Sequence, residues 1–408
     1  MELRPILSGM RRNKVGAVMI ALEIAVALAI FCNAIFVIQQ RLALMSRPTG
    51  VDEADIFAVI NQWVGTPEDE SARIRADVAA LRAMPGVKDA YESNTQPLTE
   101  RFWGSLLITL HPDDVGSLIG AADYFGDQRT LDTLGVKLAA GRNFTATEIS
   151  DFRGTVDHPR TGGILVTRAL AEQLAPGGQV LGQIATIIPL AVSAPIIGIM
   201  DRLQAPFVDA DGMSRVVDNS VLLPYRFLFS RIFYIVRVRH GDLDAAMREA
   251  PEALAAVSRD RVILRLQALT AARGAVYRGS RTVALMLSWV CILLVAVTAF
   301  GITGLTSYWV AQRRLQIGIR RALGATRPAI TRYFQTENVL ITGSGVVVGA
   351  ALATVGNLWM VKNLSMARLP IEYLVIGVIA MLALGQLAVL WPALRAASVP
   401  PAKAMRTS

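Results

Sequence analysis

Six arginines lie between Trp309 and Asn338, and no acidic residue occurs in this segment before Glu337. Guanidinium groups at this density bind anionic surfaces, which are either lipid headgroups or the acidic side chains of a protein. Leu315, Ile319 and Leu323 recur at helical spacing between the arginines. The segment therefore predicts a short basic helix that meets an anionic partner.

Signals for the end of one helix and the start of another follow this basic stretch. Gly324 can end the first helix, and Thr326 can cap the next one. Pro328 then lies in the first turn of the second helix, where a missing N–H costs little. We expect a helix, a tight turn and a second helix that continues into an apolar run.

Residues for catalysis or metal binding are not arranged in any recognisable pattern. A phosphate-binding loop requires Gly-x-x-x-x-Gly-Lys-Ser/Thr, and none of the five lysines follows a glycine. His111, His158 and His240 stand apart without a Cys/His ligand pattern, and no Ser/His/Asp arrangement can be identified. The sequence therefore predicts neither catalysis nor a metal site on this chain.

The apolar residues are concentrated in four runs. The chain is 53% hydrophobic with a mean hydropathy of +0.44, which is too apolar for an ordinary soluble protein. Because about 20 apolar residues cross a bilayer core, we predict membrane spans at 15–38, 281–308, 339–360 and 369–391. The first run exceeds the roughly 7–15-residue core of an export signal, so we expect it to be retained.

Charge is distributed unevenly between these spans and the rest of the chain. Residues 41–280 carry 25 Lys/Arg and 28 Asp/Glu, whereas the other 168 residues carry 16 and 4. The basic pI of about 9.9 therefore belongs to the membrane part, which argues against nucleic-acid binding. The positive-inside rule predicts an inner-membrane protein with cytoplasmic segments 1–14, 309–338 and 392–408, a large outer segment 39–280 and a short outer loop 361–368.

The large segment 39–280 has the composition of a folded domain. It contains no cysteine, since Cys32 and Cys291 both lie in predicted spans, so its core must be stable without disulfides. Strand-helix-strand units are predicted near 52–95 and 225–270, and a strand-rich insertion near 96–224. We also expect residues 267–287 to form one continuous helix. The fold class is a membrane protein with four transmembrane α-helices and an α/β extracytoplasmic domain between helices 1 and 2.

Two features of the predicted spans could carry a function. Glu23 is an acid well inside the first span, which indicates either a structural polar contact or a transport role. Gly343, Gly345 and Gly349 in the third span permit close helix packing, either within one subunit or across a dimer interface.

Three motifs resemble one family of membrane proteins. The stretch RRLQIGIRRALGATRPAITRYFQTENVLI resembles the cytoplasmic loop of permease subunits in the macrolide-exporter and FtsX-like superfamily of ABC transporters, also called type VII. The tail WPALRAASVPPAKAMR and the stretch GVKLAAGRNFTATE are similar to further parts of the same proteins. Two departures are visible: Gln316 stands where many members have Glu, and the macrolide exporter carries a fused ATPase.

The resemblance implies a non-catalytic permease that works by mechanotransmission. ATP and Mg²⁺ would be bound by a separate ABC ATPase subunit, and no cofactor by this chain. A second permease copy or paralogue would complete a dimer, and a periplasmic adaptor and a TolC-like outer-membrane channel are possible partners. The residues expected to contact the ATPase are Arg313, Arg314, Leu315, Ile317, Ile319, Arg320, Arg321, Leu323 and Gly324.

Several functions remain open within and outside this resemblance. Efflux of peptides or small toxic compounds is the first expectation, and lipoprotein extraction is the second. A cell-division role ranks third, because the outer domain of such a regulator is expected to be much smaller than this one. A non-transporting membrane sensor that signals through the basic loop is the alternative from another class. A basic flank that only contacts anionic lipid would explain the arginines but not the helix-turn-helix signals.

Overall fold

The computed structural model describes residues 14–65, 69–99, 105–154, 162–190, 192–206, 216–364 and 367–398. The chain divides into two compact units, residues 46–279 and residues 1–45 with 280–408. We call the first the α/β domain and the second the helical unit. The predicted fold class, four spanning helices with an α/β domain inserted after the first, is confirmed.

The α-helices of the described residues are divided equally between the α/β domain and the helical unit, and the long ones are in the helical unit. They are α1 (Lys14–Met45), α2 (Glu70–Ala83), α3 (Thr130–Leu134), α4 (Arg168–Leu174), α5 (Leu243–Val257), α6 (Leu269–Val276), α7 (Arg278–Gln312), α8 (Arg314–Ala322), α9 (Arg327–Leu364) and α10 (Ile371–Ala397).

The strands all belong to the α/β domain. They are β1 (Ile56–Trp63), β2 (Val87–Ser93), β3 (Ser105–Thr109), β4 (Ile119–Phe125), β5 (Leu138–Gly141), β6 (Ser150–Phe152), β7 (Ile164–Thr167), β8 (Ile184–Ile188), β9 (Val192–Met200), β10 (Ser220–Leu223), β11 (Tyr225–Phe227), β12 (Arg231–Val238) and β13 (Arg261–Ala268).

Four helices, α1, α7, α9 and α10, are long and apolar enough to cross a membrane. At a rise of about 1.5 Å per residue, the 35 residues of α7 extend for about 52 Å, well beyond a bilayer core of roughly 30 Å. The predicted spans 15–38, 281–308, 339–360 and 369–391 fall on these four helices, the last beginning two residues before α10.

Small residues bring α9 close to α1. A Cβ on Gly345 would lie 3.0 Å from Ile24 Cβ, and one on Gly349 would lie 2.8 Å from the carbonyl oxygen of Ala25. These two glycines therefore make an intrasubunit helix contact. Gly343 does not share it, because a Cβ there would meet none of the described atoms within 4 Å. Gly343 lies two residues before Gly345, about 200° around the helix, so it is on another face of α9, and its role in helix packing stays a prediction.

The expectation of one continuous helix over residues 267–287 was wrong. Strand β13 extends to Ala268, and α6 then ends at Val276 before α7 begins at Arg278. Tyr277 separates the two helices and is 5% exposed. Its hydroxyl accepts a hydrogen bond from Gln204 Nε2 at 3.1 Å, so the residue at the break is fixed by a side-chain contact.

The two predicted strand-helix-strand units form a single four-stranded antiparallel sheet in the order β13-β1-β12-β2. Helices α2 and α5 share a hydrophobic core with one face of this sheet, built from residues such as Phe57, Ile74, Tyr234 and Leu254. Asp77 is fully buried in α2 and binds the Arg261 guanidinium at 2.7 and 2.9 Å.

The strand-rich insertion forms a second, seven-stranded mixed sheet in the order β5-β9-β7-β10-β4-β3-β8. Its core contains an aromatic group in which Phe125 makes edge contacts with Phe152, Tyr225 and Phe227. Strands β11 and β6 pair separately as a short two-stranded sheet.

The stretch GVKLAAGRNFTATE has a structural explanation within this sheet. Gly141 has a φ of +80°, a conformation that favours glycine, at the end of β5. The Arg142 guanidinium then binds both carboxylate oxygens of Glu148 at 2.9 and 2.7 Å. Glu148 also closes the predicted capping box with Thr145. Gly141, Arg142, Thr145 and Glu148 therefore fix a turn.

Candidate functional site: the basic helix

The basic segment forms α8 followed by a tight turn into α9. Gly324 has a φ of +95°. Its N–H donates to the carbonyl of Arg321, and the Ala325 N–H donates to the carbonyl of Arg320. These two bonds form a Schellman motif, which ends α8 as its sequence predicts. Pro328 lies in the first turn of α9, also as expected.

The N-terminal end of α8 is attached to α9 by an ion pair that is shielded from solvent. Arg313 Nη1 donates to both carboxylate oxygens of Glu337, at 2.9 and 3.1 Å. The two side chains are 16% and 5% exposed, so solvent screens this pair little. Charge-assisted bonds of this kind hold the two helices at a defined separation.

The rest of α8 is held by one aromatic contact and one apolar contact. The Arg320 guanidinium lies over the Tyr333 ring of α9, 5.1 Å from its centroid. On another side of the helix, Ile317 is 7% exposed and belongs to the same core cluster as Ala393 and Ala396 of α10. Helix α8 is thus fixed to both α9 and α10.

The opposite side of α8 exposes large apolar side chains. Leu315, Ile319 and Leu323 are 47%, 46% and 83% exposed and recur every four residues along one side of the helix. Arg314, in the first turn of α8, is also exposed, although it lies about 100° around the helix from Leu315. We call these four residues the outer face of α8. A rigid helix that presents three apolar side chains beside a guanidinium has the composition of a protein contact.

The structure separates the residues that the sequence grouped as one contact surface. Arg314, Leu315, Ile319 and Leu323 form the outer face, and the exposed Gly324 follows it. Arg313 and Ile317 do not belong to it, because the first is bound to Glu337 and the second is buried. They position the surface instead. Arg320 is exposed but oriented by Tyr333, and Arg321 is partly buried and makes contacts of its own.

Sequence reasoning missed Glu337 and Tyr333 as the residues that orient α8. Glu337 was visible as the first acid after six arginines, which is a signal for an internal ion pair. Its partner could not be chosen from sequence, since 24 residues and a turn separate it from Arg313. Tyr333 carried no signal beyond its aromatic ring.

Glu23 lies away from α8, on the contact between α1 and α7. A Cβ on Gly301 would lie 2.6 Å from a carboxylate oxygen of Glu23, so the carboxylate packs directly on the backbone of α7. Along α1, Glu23 is about 10 Å from Gly16, which packs against Trp309 near the end of α7. This placement fits a contact between spans.

The three histidines considered as metal ligands in the sequence do not form a cluster among the described residues. His111 and His240 are exposed in the α/β domain, and His240 Nδ1 lies 3.1 Å from a carboxylate oxygen of Asp55. His158 lies outside the described residues. Within the part of the chain that the structure describes, no group of three or more His, Cys, Asp or Glu residues could hold a metal ion.

Solved structures that align with parts of this chain include two extracytoplasmic domains. The periplasmic region of MacB from Actinobacillus actinomycetemcomitans aligns over 57% of this chain and 96% of the length of that region, at 12% identity and a TM-score of 0.35. The extracellular domain of the noncanonic ABC-type transporter YknZ from Gram-positive bacteria aligns with 51% and 100%, at 14% identity and a TM-score of 0.31.

Curated relatives are similar over more of the chain. The macrolide export ATP-binding/permease protein MacB of Chromobacterium violaceum is 25% identical over 68% of this chain, and that of Escherichia coli K12 is 22% identical over 84%. The probable syringafactin export ATP-binding/permease protein SyfD of Pseudomonas syringae pv. tomato is 24% identical over 74%. The matched part of each relative is 40%, 50% and 42% of its length, so the chain spans about half of these proteins or less.

Two family models match the chain in succession. The MacB-like periplasmic core domain matches residues 17–254, and the FtsX-like permease C-terminal matches residues 288–401. The first covers the α/β domain up to α5 together with most of α1, and the second covers most of α7 and all of α8, α9 and α10. Since the periplasmic core model alone matches more than half of the 408 residues, the chain belongs to the family of FtsX-like permeases with a MacB-like periplasmic core domain.

Proposed function

We propose that this chain is the permease part of an ABC transporter and that α8 is the element on which the ATPase acts. The observation that carries the proposal is the outer face of α8, three apolar side chains and a guanidinium on a helix fixed at both ends. Hydrolysis takes place on the ATPase, which is either a partner chain or another part of a longer one. ATP and Mg²⁺ are bound there.

The packing of the helical unit supports a mechanical role for α8. A displacement of α8 acts on α9 through the Arg313–Glu337 pair and on α10 through the buried Ile317. Helix α9 packs closely on α1 at Gly345 and Gly349. Close-packed helices shift as bodies, so the displacement passes to α1. Since α1 and α7 are the two helices that lead by chain connection into the α/β domain, they carry the motion there.

The outer face also supplies enough energy for a specific contact. Burying a Leu or Ile side chain contributes about 1.5–3 kcal/mol, and Leu315, Ile319 and Leu323 are all substantially exposed. Neighbouring arginines would raise the rate of association with an acidic partner. An amphipathic helix on an anionic membrane has a similar composition, and this is the second candidate for the same surface. The fixed orientation of α8 favours the protein contact, because lipid binding does not require it.

In this proposal the basic helix and both termini lie on the cytoplasmic side of the inner membrane. The permease pairs with a second copy or a paralogue, and cargo is moved on the periplasmic side. Efflux of peptides or small toxic compounds is the preferred transport reaction, because relatives named for macrolide export and syringafactin export match most of the chain. A periplasmic adaptor and an outer-membrane channel would complete that assembly. Lipoprotein extraction and a non-transporting sensor are the alternatives.

Disruption of the outer face tests the coupling. The double variant Ile319→Asp with Leu323→Asp should lose the ATPase on affinity purification of the full chain from its own host membranes, because two carboxylates would be buried in the contact. We expect at least a tenfold drop in the amount of a polypeptide that carries the phosphate-binding motif, identified by mass spectrometry. The ATP hydrolysis of the purified material should fall by the same factor.

A matched variant separates this effect from general damage. Leu264→Asp places a carboxylate at a similarly exposed apolar position, 48% exposed on β13, and should leave the ATPase bound. If no ATPase accompanies the unaltered chain, or if the double variant retains it with full ATP hydrolysis, the coupling proposal fails. Loss of flotation with anionic vesicles in place of ATPase loss would assign the outer face to lipid.

A further inference from the structure

A small pocket opens in the α/β domain on the sheet face opposite to α2 and α5. Its volume is about 220 Å³, and its walls include three phenylalanine rings, Phe227, Phe229 and Phe233. Phe233 of β12 lies on the face away from the helices, because its neighbours Ile232 and Tyr234 belong to the helix-facing core. The pocket is therefore separate from the core under α2 and α5, whereas Phe227 and Phe229 connect it to the core of the seven-stranded sheet.

The pocket has an apolar interior and a polar rim. Phe227 and Phe233 are 8% and 9% exposed, whereas Arg231 is exposed and Gln62 half-buried. Arg231 Nε donates to Gln62 Oε1 at 3.2 Å. Its Nη groups have no hydrogen-bond partner among the described residues. The described lining contains this one cation and no acid, so the rim attracts an anion or a strong hydrogen-bond acceptor.

The aromatic walls are already in place. Phe229 stacks on Phe227 with ring centroids 4.3 Å apart and an interplanar angle of 19°. It also lies 6.4 Å from the Phe152 ring. Asn94 also lines the pocket, and two hydrogen bonds fix its side chain. Its Nδ2 donates to Asp123 Oδ2 at 2.8 Å, and its Oδ1 accepts from the Phe125 N–H at 2.9 Å. A preformed site loses little conformational entropy on binding.

The geometry points to a binding site for a small amphipathic anion, an aromatic or branched apolar group that carries a carboxylate or a similar acceptor. The apolar group enters between Phe229 and Phe233, and the acceptor receives hydrogen bonds from the Arg231 guanidinium. The volume accommodates one or two fused rings, and pockets with an apolar interior and few polar groups are the usual form of small-molecule sites. The site does not depend on the proposed coupling function, because it lies wholly within the α/β domain.

Calorimetric titration of the full chain in lipid nanodiscs tests this site, with 2-naphthoate as the probe and empty nanodiscs as the blank. We expect saturable binding with a dissociation constant on the order of 0.1 mM, the range for a ligand of this size. The neutral 2-naphthamide should bind about tenfold more weakly, because it offers no charged acceptor to Arg231.

Substitutions assign the binding to this pocket. Arg231→Gln should weaken 2-naphthoate about tenfold and leave 2-naphthamide nearly unchanged, whereas Phe229→Ala should weaken both. Arg231→Lys should restore part of the loss. Arg248→Gln, which removes an exposed arginine from α5, should have no effect. Hydrogen exchange of β12 verifies that each variant is folded.

Three results would overturn the assignment. These are the absence of saturable 2-naphthoate binding above the nanodisc blank, equal losses in Arg231→Gln and Arg248→Gln, and binding of 2-naphthamide as tight as that of 2-naphthoate. The first result removes the site, the second moves it elsewhere, and the third removes its preference for anions.

Discussion

Arginine has different partners in the two units of this protein. Of the arginine–carboxylate ion pairs between described residues, thirteen lie in the α/β domain, and one, Arg313–Glu337, lies in the helical unit. The difference follows the composition, since residues 41–280 are nearly balanced in charge and the remainder carries 16 basic and 4 acidic residues.

The comparison shows which arginines are available for another molecule. In the α/β domain most guanidinium groups form ion pairs with acids of the same unit. Arg82, for example, binds Asp89 of β2 in the four-stranded sheet and Asp127, just after β4 of the seven-stranded sheet. In the helical unit, Arg314, Arg327 and Arg332 are exposed and have no acidic partner among the described residues. In the proposed function, this uncompensated charge contacts the ATPase or the membrane surface.

The largest effect is expected where an ion pair of the α/β domain is most deeply buried. Asp77→Ala leaves the Arg261 guanidinium, itself 4% exposed, without its carboxylate. Removal of one partner from such a pair costs about 3–5 kcal/mol. Hydrogen exchange of the β12 and β13 amides in the full chain should accelerate roughly a hundredfold or more. The exposed pair Arg73–Asp260 provides the control, since Asp260 is 72% exposed and Asp260→Ala should cost less than about 1 kcal/mol.

The single ion pair of the helical unit should give the next largest effect. Glu337→Gln keeps the shape of the side chain but removes the charge that faces Arg313, and we expect a local loss of about 2 kcal/mol. The amides of α8 should exchange about thirtyfold faster, and coupling to the ATPase should fall with them. Glu372→Gln changes an exposed acid of α10 and should alter neither measurement. Unchanged exchange of α8 in Glu337→Gln would falsify the role of this pair in orienting the helix.

Two buried acids in the α/β domain, Asp123 and Glu92, have raised pKa values. Burial raises the pKa of Asp123 to about 7, partly opposed by hydrogen bonds from the backbone and from Asn94. Burial and the nearby Asp127 raise the pKa of Glu92 to about 7, opposed by Arg226 at 3.5 Å. Each folded-state pKa lies above its unfolded value near 4. The stability from the bound proton is therefore complete below about pH 4 and is lost as pH rises through about 7.

The domain should consequently become more stable as pH falls from 8 to 6, by about 1 kcal/mol for each group. Asp123→Asn, which removes one titration while keeping the hydrogen-bonding shape, should reduce this pH dependence by about half. Thermal unfolding of the full chain at both pH values measures it. A variant whose pH dependence equals that of the unaltered protein would show that Asp123 ionises normally.

Local patterns predicted the elements of this fold better than their assembly. The continuous apolar run of β1 and the helical spacing of Ile74, Val78 and Leu81 in α2 were sufficient, because the first marks a buried strand and the second one buried helix face. The seven-stranded sheet could be recognised only as a strand-rich region. Its order depends on pairings such as β10 with β4, which are almost 100 residues apart and leave no mark in local sequence.

The basic helix shows the same limit at the level of the candidate site. Its helix, its Gly324 end and the start of α9 follow from local chemistry, so they were predictable. Which side of α8 faces outward was not, since arginines and apolar residues occur on both sides. The orientation is decided by Glu337, Tyr333 and the core around Ala393, all contributed by later helices.

The smallest effect should come from an exposed ion pair of the α/β domain. Arg142 is 53% exposed, so the loss of its bonds to Glu148 in Arg142→Ala should cost only about 0.5 kcal/mol. The hydrogen bond from Arg142 is the main reason that the pKa of Glu148 is lowered to about 2. That stabilisation is present above about pH 4.5 and is lost as pH falls toward 2.

The difference between Arg142→Ala and the unaltered chain should therefore be measurable at pH 7, shrink below about pH 4.5 and vanish only below about pH 2 in thermal unfolding. Arg168→Ala breaks a pair in which both side chains are more than half exposed, and it should change nothing measurable at either pH. A loss several times larger in Arg142→Ala would mean that the stretch from Gly135 to Glu148 contributes more than a turn. A pH-independent loss would assign the contribution of Arg142 to packing instead of charge.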